Sequence, residues 1–277
     1  MRVIYGPLNK IGKLFAIPLS YLISNRVLYK FFTLIKIYLA ILLGQGAGTG
    51  WSLNAETNAA IKIIKRRHDV NEHLIIFDIG ANIGNWSALL AKIIKKGTYY
   101  LFEPQPGCHS YIVEKHIPNM KLSSCVVSSS PGELLNLFST SENAGLASIY
   151  QRRDSYFQKE PYHKIEVLTT TIDTVITNND IKRVDYIKMD IEGHELEALK
   201  GASMSLQNGI IHAIAFEFGS SNINSRTYFH DFWDFLYPLG YHFYRILPWG
   251  GLLPVLEYSE DLEYFRGATN YVAVLDR

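Results

Sequence analysis

Short runs of successive apolar residues recur along most of this chain, each halted by an acid, a glycine or a polar turn. Between them the apolar positions space out at three and four. Runs that stay apolar at successive positions read as strands buried on both faces, and the wider spacing reads as amphipathic helix. The pattern predicts strands at Leu74–Ile79, Tyr99–Phe102, Lys121–Val127, Val184–Met189, Ile210–Phe218, Tyr241–Ile246 and Tyr271–Leu275. Helices are predicted near Trp86–Lys95, Gly107–His116, Leu196–Met204 and Tyr228–Leu236. Such alternation of strand and helix is the mark of a parallel sheet with helices on its faces. Two further runs, Leu134–Phe138 and Ile165–Leu168, are expected to form an antiparallel hairpin at the sheet edge. The polar, aromatic stretch between them, Ser139–Tyr162, is long enough to be expected to be functional or mobile.

The first predicted strand ends in chemistry. Asp78 closes it, and Gly80, Ala81, Asn82, Ile83, Gly84 and Asn85 lead directly into a helix. Glycines let a backbone come close to a ligand, and a helix start presents unpaired N–H groups and a positive dipole end. A dinucleotide turn needs a glycine where Asn82 stands, so the pyrophosphate reading weakens. The Asp78 carboxylate instead suits a sulfonium nucleoside with an amino-acid tail. At the end of the second predicted strand stand Glu103 and Pro104, and an acid there is where doubly wound folds hold a ribose diol. A bland turn beside a strand-terminal acid would show the same residues singly, so the weight rests on the ordered pair.

A third block, Lys188-Met189-Asp190-Ile191-Glu192-Gly193-His194-Glu195, again breaks from a strand into acids and a glycine before a helix. Together with Asp78-Ile79-Gly80-Ala81-Asn82 and Phe102-Glu103-Pro104, in that order, it resembles the FkbM family of methyltransferases from about residue 70 onward. The resemblance implies an α/β class I (Rossmann-like) methyltransferase fold with a mostly parallel, doubly wound sheet of seven strands. It also implies S-adenosyl-L-methionine as cofactor and transfer of a methyl group to an oxygen, typically a sugar or polyketide hydroxyl. Asp78, Gly80, Ala81, Asn82, Gly84, Asn85, Glu103, Pro104 and Asp190 are the expected cofactor residues. The family's adenine contact follows the third strand, where this chain has Ser128 and Ser129 rather than the family's acid; either serine could bond the base, and a plain polar turn would look the same.

Composition adds limits. The 48% apolar content supports a substantial core, and two cysteines form neither a metal spacing nor a disulfide framework, so a cytoplasmic setting is expected. A net charge of +1 from 27 basic and 26 acidic residues gives no sign of a nucleic-acid partner. That balance hides a basic N-terminus: Arg2, Lys10, Lys13, Arg26, Lys30 and Lys36 precede the first acid, Glu56. Residues 1–55 are therefore expected to be a helical appendage to a catalytic domain at 56–277. Its apolar run, Leu28–Leu43, is broken by lysines and too short to span a bilayer. Two fates remain open: peripheral contact with the inner face of a membrane, or packing on the catalytic domain or a second subunit through residues 1–50. The glycines of 44–50 read as a flexible joint, and Ala55–Arg66 as a helix leading into the domain.

For the transfer itself, a base near the strand ends would activate an acceptor hydroxyl. Asp190, His194 and Glu217 are the candidates, Glu217 because an acid inside an apolar strand is costly unless paired or used. Glu192 and Glu195 flank a helix start, where carboxylates stabilise the dipole without doing chemistry. The same acids match no established metal signature, and no metal is expected. Trp249, in a Pro-Trp-Gly-Gly turn, could stack on a sugar or close the edge of the core. The expected activity is O-methylation of a glycan or other small hydroxylated acceptor. The alternative is a protein that keeps the cofactor pocket without turnover.

Overall fold

The computed structural model describes residues 23–46, 53–69, 72–153 and 162–276, and residues 12, 14, 18, 20, 21 and 48 singly. Parts of three expectations lie outside the described residues: Arg2, Lys10 and Lys13 of the basic segment, residues 47, 49 and 50 of the glycine joint, and 154–161 of the long loop. The chain divides into two compact units, Met1–Leu43 and Gly44–Arg277. The first contains helix α1 (Arg26–Leu42), whose start is capped by the Asn25 side chain accepting from the Val27 N–H at 2.9 Å.

The second unit contains helix α2 (Leu53–Arg67). Its strands in chain order are β1 (Leu74–Ile79), β2 (Gly97–Phe102), β3 (Met120–Ser123), β4 (Val126–Val127), β5 (Leu134–Ser139), β6 (His163–Thr170), β7 (Tyr186–Met189), β8 (Ala213–Gly219), β9 (Tyr241–Ile246), β10 (Leu252–Val255) and β11 (Ala268–Leu275). Between them run α3 (Asn85–Ala91), α4 (Pro106–Glu114), α5 (Ile172–Asn178), α6 (Glu195–Lys200), α7 (Ser203–Gln207), α8 (Ser220–Ser225) and α9 (Phe229–Leu236). Among the described residues, one sheet holds eight strands in the order β10-β9-β11-β8-β7-β1-β2-β3. Strands β3, β2, β1, β7 and β8 are parallel neighbours, and β11 inserts antiparallel between β8 and β9. This is the class I, Rossmann-like methyltransferase arrangement.

Three differences from the sequence pattern concern the edges of the main sheet. The eighth strand, β10, is four residues long and carries Pro254, which only an edge strand tolerates; it pairs antiparallel with β9. The expected strand Lys121–Val127 breaks at Ser123, the last residue paired with β2, and Val126–Val127 leave to pair with Thr169 and Thr170. The expected hairpin of Leu134–Phe138 with Ile165–Leu168 forms, but with β4 as a separate three-stranded sheet rather than on the edge of the main one.

The pleat sorts side chains onto two faces. Phe77, Ile79, Ile187, Met189, Phe216 and Phe218 pack under α5, α6, α7 and α9. Leu74, Ile76, Tyr186, Ala213 and Ala215 pack under α2, α3 and α4. By the same alternation Asp78, Lys188, Glu217 and Asn270 belong to the α2 side. Asp78 is in register with Lys188, and Asn270 with Glu217. At the opposite, amino end of the strands, Asp185 gathers His68, His212 and Arg183, with the Arg183 Nε 2.6 Å from its Oδ1. That polar cluster ties the end of α2 to the sheet.

Candidate active site

The carboxyl ends of β1, β2 and β7 meet at one cleft. It is partly open to solvent, with a cavity volume of about 60 Å³. One wall is the β1 turn with Gly80 and Asn82, the β2 end with Glu103, Pro104 and Gln105, and the β7 end with Asp190, Ile191 and His194. The other is the small sheet and its loop, through Val126, Val127, Leu137, Ala147 and Ile149.

The turn is held by its own backbone. The N–H groups of Gly80 and Ala81 both donate to the Phe102 carbonyl, at 2.9 and 3.1 Å, and Gly84 N–H donates to Ala81 O at 2.8 Å. Asn82 has φ +48°, a left-handed conformation that asparagine tolerates. Gly80 has φ +82°, and a Cβ there would stand 2.0 Å from the Asp190 carbonyl oxygen. The glycine is thus required by close approach of the β7 end, which locks two of the sequence blocks together.

Glu103 is 3% exposed. Its Oε2 accepts from Asn82 N–H at 2.8 Å, and its Oε1 from the Gln105 N–H and side-chain amide at 2.9 and 3.2 Å. Burial raises its pKa, and these hydrogen bonds pull it back. Three donors use three of a carboxylate's roughly four acceptor positions. The place left, on Oε2 beside the cleft, suits one hydroxyl of a sugar diol, so the donor set fits a nucleoside. Gln105 is a residue that sequence reasoning missed. It also donates to Ala144 O at 3.0 Å and accepts from the Ser139 hydroxyl at 3.1 Å, holding the long loop against the cleft; a glutamine after Glu-Pro carries no signal of that role.

Asp190 lines the cleft and pairs through Oδ2 with Lys188 Nζ at 3.0 Å. His194 lines it too, with Nε2 3.0 Å from the Ser128 hydroxyl and Nδ1 3.2 Å from the Tyr150 hydroxyl. Burial lowers its pKa to about 4, so the ring is neutral near pH 7 with both nitrogens engaged. Glu217 stands elsewhere, on the α2 side of the sheet. Burial, and then the nearby Asp190, Glu56 and Glu192, raise its pKa well above the carboxylate range. Among the described residues, Asp190, Glu192, His194 and Glu217 do not bring three ligand atoms within metal-binding reach of one another.

Asp78 is 1% exposed and does not line the cleft. Its Oδ2 accepts from the Ser87 hydroxyl at 2.6 Å while Oδ1 has no hydrogen-bond partner. Burial raises its pKa, and Lys188 opposes that. Lys188 is in turn held charged by Asp190, Glu56, Asp78 and Glu217. Glu56, on α2, accepts from the Asn270 amide at 3.0 Å, and burial lifts its pKa to about 7. Ala81 and Gly84 are buried in the turn, and Asn85 is exposed toward a groove between α3 and the end of α4. Ser128 is buried against His194, and the exposed Ser129 bonds the Glu197 carboxylate. Cys125, Val126 and Val127 line the cleft instead, because the chain leaves the main sheet at Ser123.

The loop after β5 adds a contact that no local pattern announces. Arg152 ion-pairs with Glu192 and lies 3.3 Å from the Ser220 hydroxyl, while Ser148 donates to Glu192 O at 2.8 Å. Glu192 has φ +53° at the tip of the β7 turn. Trp249 is not at this cleft; it is 67% exposed, with Lys62 Nζ 4.4 Å above its ring.

The family model of the methyltransferase FkbM domain matches residues 78–243. A hexuronic acid methyltransferase, AglP, from Haloferax volcanii is 24% identical over 152 residues, 50% of this chain and 54% of the relative. The methyltransferase sdnD from Sordaria araneosa is 26% identical over 153 residues, 46% of this chain and 59% of the relative. The matched regions span a little over half the length of these curated relatives. A solved structure, the precorrin-6y C5,15-methyltransferase from Geobacter metallireducens, superposes with a TM-score of 0.41 at 12% identity, over 79% of this chain and 87% of the other.

Proposed function

The chain belongs to the methyltransferase FkbM domain family, and on that premise we propose that it methylates a hydroxyl of a glycan or related small hydroxylated acceptor, using S-adenosylmethionine. One observation carries the reading: Glu103 and Asp190, at the carboxyl ends of two strands, face the same cleft over the Gly80 turn. Bound there, the cofactor would supply an electrophilic methyl on a sulfonium. Glu103 would hold the ribose through its remaining Oε2 position, and the Gly80–Asn82 backbone would support the nucleoside. Asp190, steadied by Lys188, would take the proton from the acceptor hydroxyl. Val126, Val127, Leu137 and Ile149 would exclude water from the opposite side. His194, with both nitrogens engaged, would act as a support. Glu217, set on the other face, would hold a proton within the Lys188 cluster.

The hexuronic acid named for the haloarchaeal relative makes acidic sugars the first acceptors to try. Purified protein is incubated with S-adenosylmethionine and a panel of neutral and uronic-acid glycans, and release of S-adenosylhomocysteine is followed. Binding heat without release on any acceptor would favour the turnover-free alternative. Asp190→Asn is expected to lower kcat by about 10²–10⁴ on a hydroxyl acceptor, the usual worth of a general base. A uronate carboxylate is already ionised and needs no base, so undiminished turnover in the variant would move the acceptor from hydroxyl to carboxylate.

A further inference from the structure

Helix α1 carries an exposed apolar stripe. Val27, Phe31, Leu34, Ile35, Tyr38 and Leu42 fall within about 100° of one another around a helix of 3.6 residues per turn. All six are exposed, from 39% at Ile35 to 74% at Val27. The buried or half-buried positions Ala40, Ile37 and Thr33 stand on the other side. An ordinary surface helix does the reverse, hiding its apolar stripe and showing its polar one. Exposed contiguous apolar surface of this kind marks an interaction site.

Charge and length choose the partner. The 17 residues of α1 extend about 25 Å, short of the roughly 30 Å hydrocarbon core of a bilayer. Among the described residues, no helix is long and apolar enough to cross a membrane. Lys30 lies just beyond one edge of the apolar arc, Arg26 and Lys36 stand on the opposite, polar side of the helix, and no acid occurs before Glu56. A second copy would bring the same cationic segment against itself, with repulsion of like charges. A surface of anionic lipid brings the opposite sign. Aromatic rings at the stripe, with Phe31 and Phe32 5.6 Å apart edge to face, suit the boundary between head groups and acyl chains.

We propose that α1 docks flat on an anionic phospholipid bilayer, with its apolar stripe at the acyl boundary, Lys30 at the head groups and the remaining cationic charge of the segment adding long-range attraction. Full-length protein is sedimented with vesicles of phosphatidylcholine alone and with vesicles containing about one third phosphatidylglycerol. Binding to the anionic vesicles is expected, weakening as salt rises, with little binding to the neutral ones. Lys30→Gln combined with Lys36→Gln is expected to weaken that binding about thirtyfold, which corresponds to ~1 kcal/mol per lysine at an anionic surface. Leu34→Ser with Tyr38→Ser should weaken it as well, at an unchanged circular dichroism spectrum. Equal partition onto the two vesicle types, whether strong or absent, overturns the proposal. So does a concentration-dependent dimer that Leu34→Ser with Tyr38→Ser dissolves while leaving vesicle binding intact. None of these readouts depends on methyl transfer.

Discussion

Glu103 receives a backbone N–H on each of its two oxygens, so no orientation of an amide can replace it. In Glu103→Gln the NH₂ must face either Asn82 N–H or Gln105 N–H, and a buried donor is left unpaired at a cost of about 1–3 kcal/mol. The variant is expected to melt several degrees lower, at about 2–4 °C per kcal/mol for a domain of this size. Its affinity for S-adenosylhomocysteine in calorimetry should fall about tenfold or more, since 1.4 kcal/mol is a factor of ten; an unchanged Kd would remove Glu103 from the cofactor site. Glu195 makes a different prediction. Its Oε1 accepts from the Ile191 and Gly193 N–H groups at 3.1 and 3.2 Å, while the buried Oε2 has no partner, and burial raises its pKa from 4.5 to about 7. A carboxyl raised in the folded state binds more protons there than in the unfolded chain. Its contribution to stability is therefore complete below about pH 4.5 and is lost as pH rises through about 7. Glu195→Gln keeps the shape of the protonated form, so its melting temperature relative to the parent should climb between those limits. The gain above pH 7 is at most about 3 kcal/mol, and parallel melting curves across that window would show that Glu195 stays ionised when buried.

At the scale of elements, the contact that organises the site joins the β1 turn to the end of β7. Gly80→Ala would place a methyl group 2.0 Å from the Asp190 carbonyl at a left-handed φ. Gly132 has nearly the same φ, +81°, but a Cβ there meets nothing within 4 Å. Gly132→Ala should therefore show the conformational cost alone, about 1–2 kcal/mol. Gly80→Ala should add overpacking of about 1–3 kcal/mol or more. Urea midpoints for the two variants measure the difference, and equal losses would mean that β7 yields freely.

Across the whole molecule, the parallel strands were legible because burial on both faces leaves runs such as Ile75–Phe77 and Tyr186–Ile187 without polar interruption. β10 escaped because Pro254 and four residues read as loop. β4 escaped because Val126–Val127 prolong the apolar run past a break marked by Ser123 and Ser124 alone. Strand-end acids announced Glu103 and Asp190, but not which face each acid takes. Alternation along β8 puts Glu217 with Ala213 and Ala215, on the side covered by α2, and Glu56 lies too far along the chain for any local pattern to link the two. The Arg152–Glu192 pair is a contact between a loop and a turn forty positions apart, which spacing does not encode.

Where Gly80 meets Asp190, main chain lies against main chain, so at that point the cleft has no side chain to trim. Leu137 and Ile149, across from it, are ordinary side chains that can be shortened one methyl at a time. Making room for a bulkier guest is therefore a matter of carving the roof.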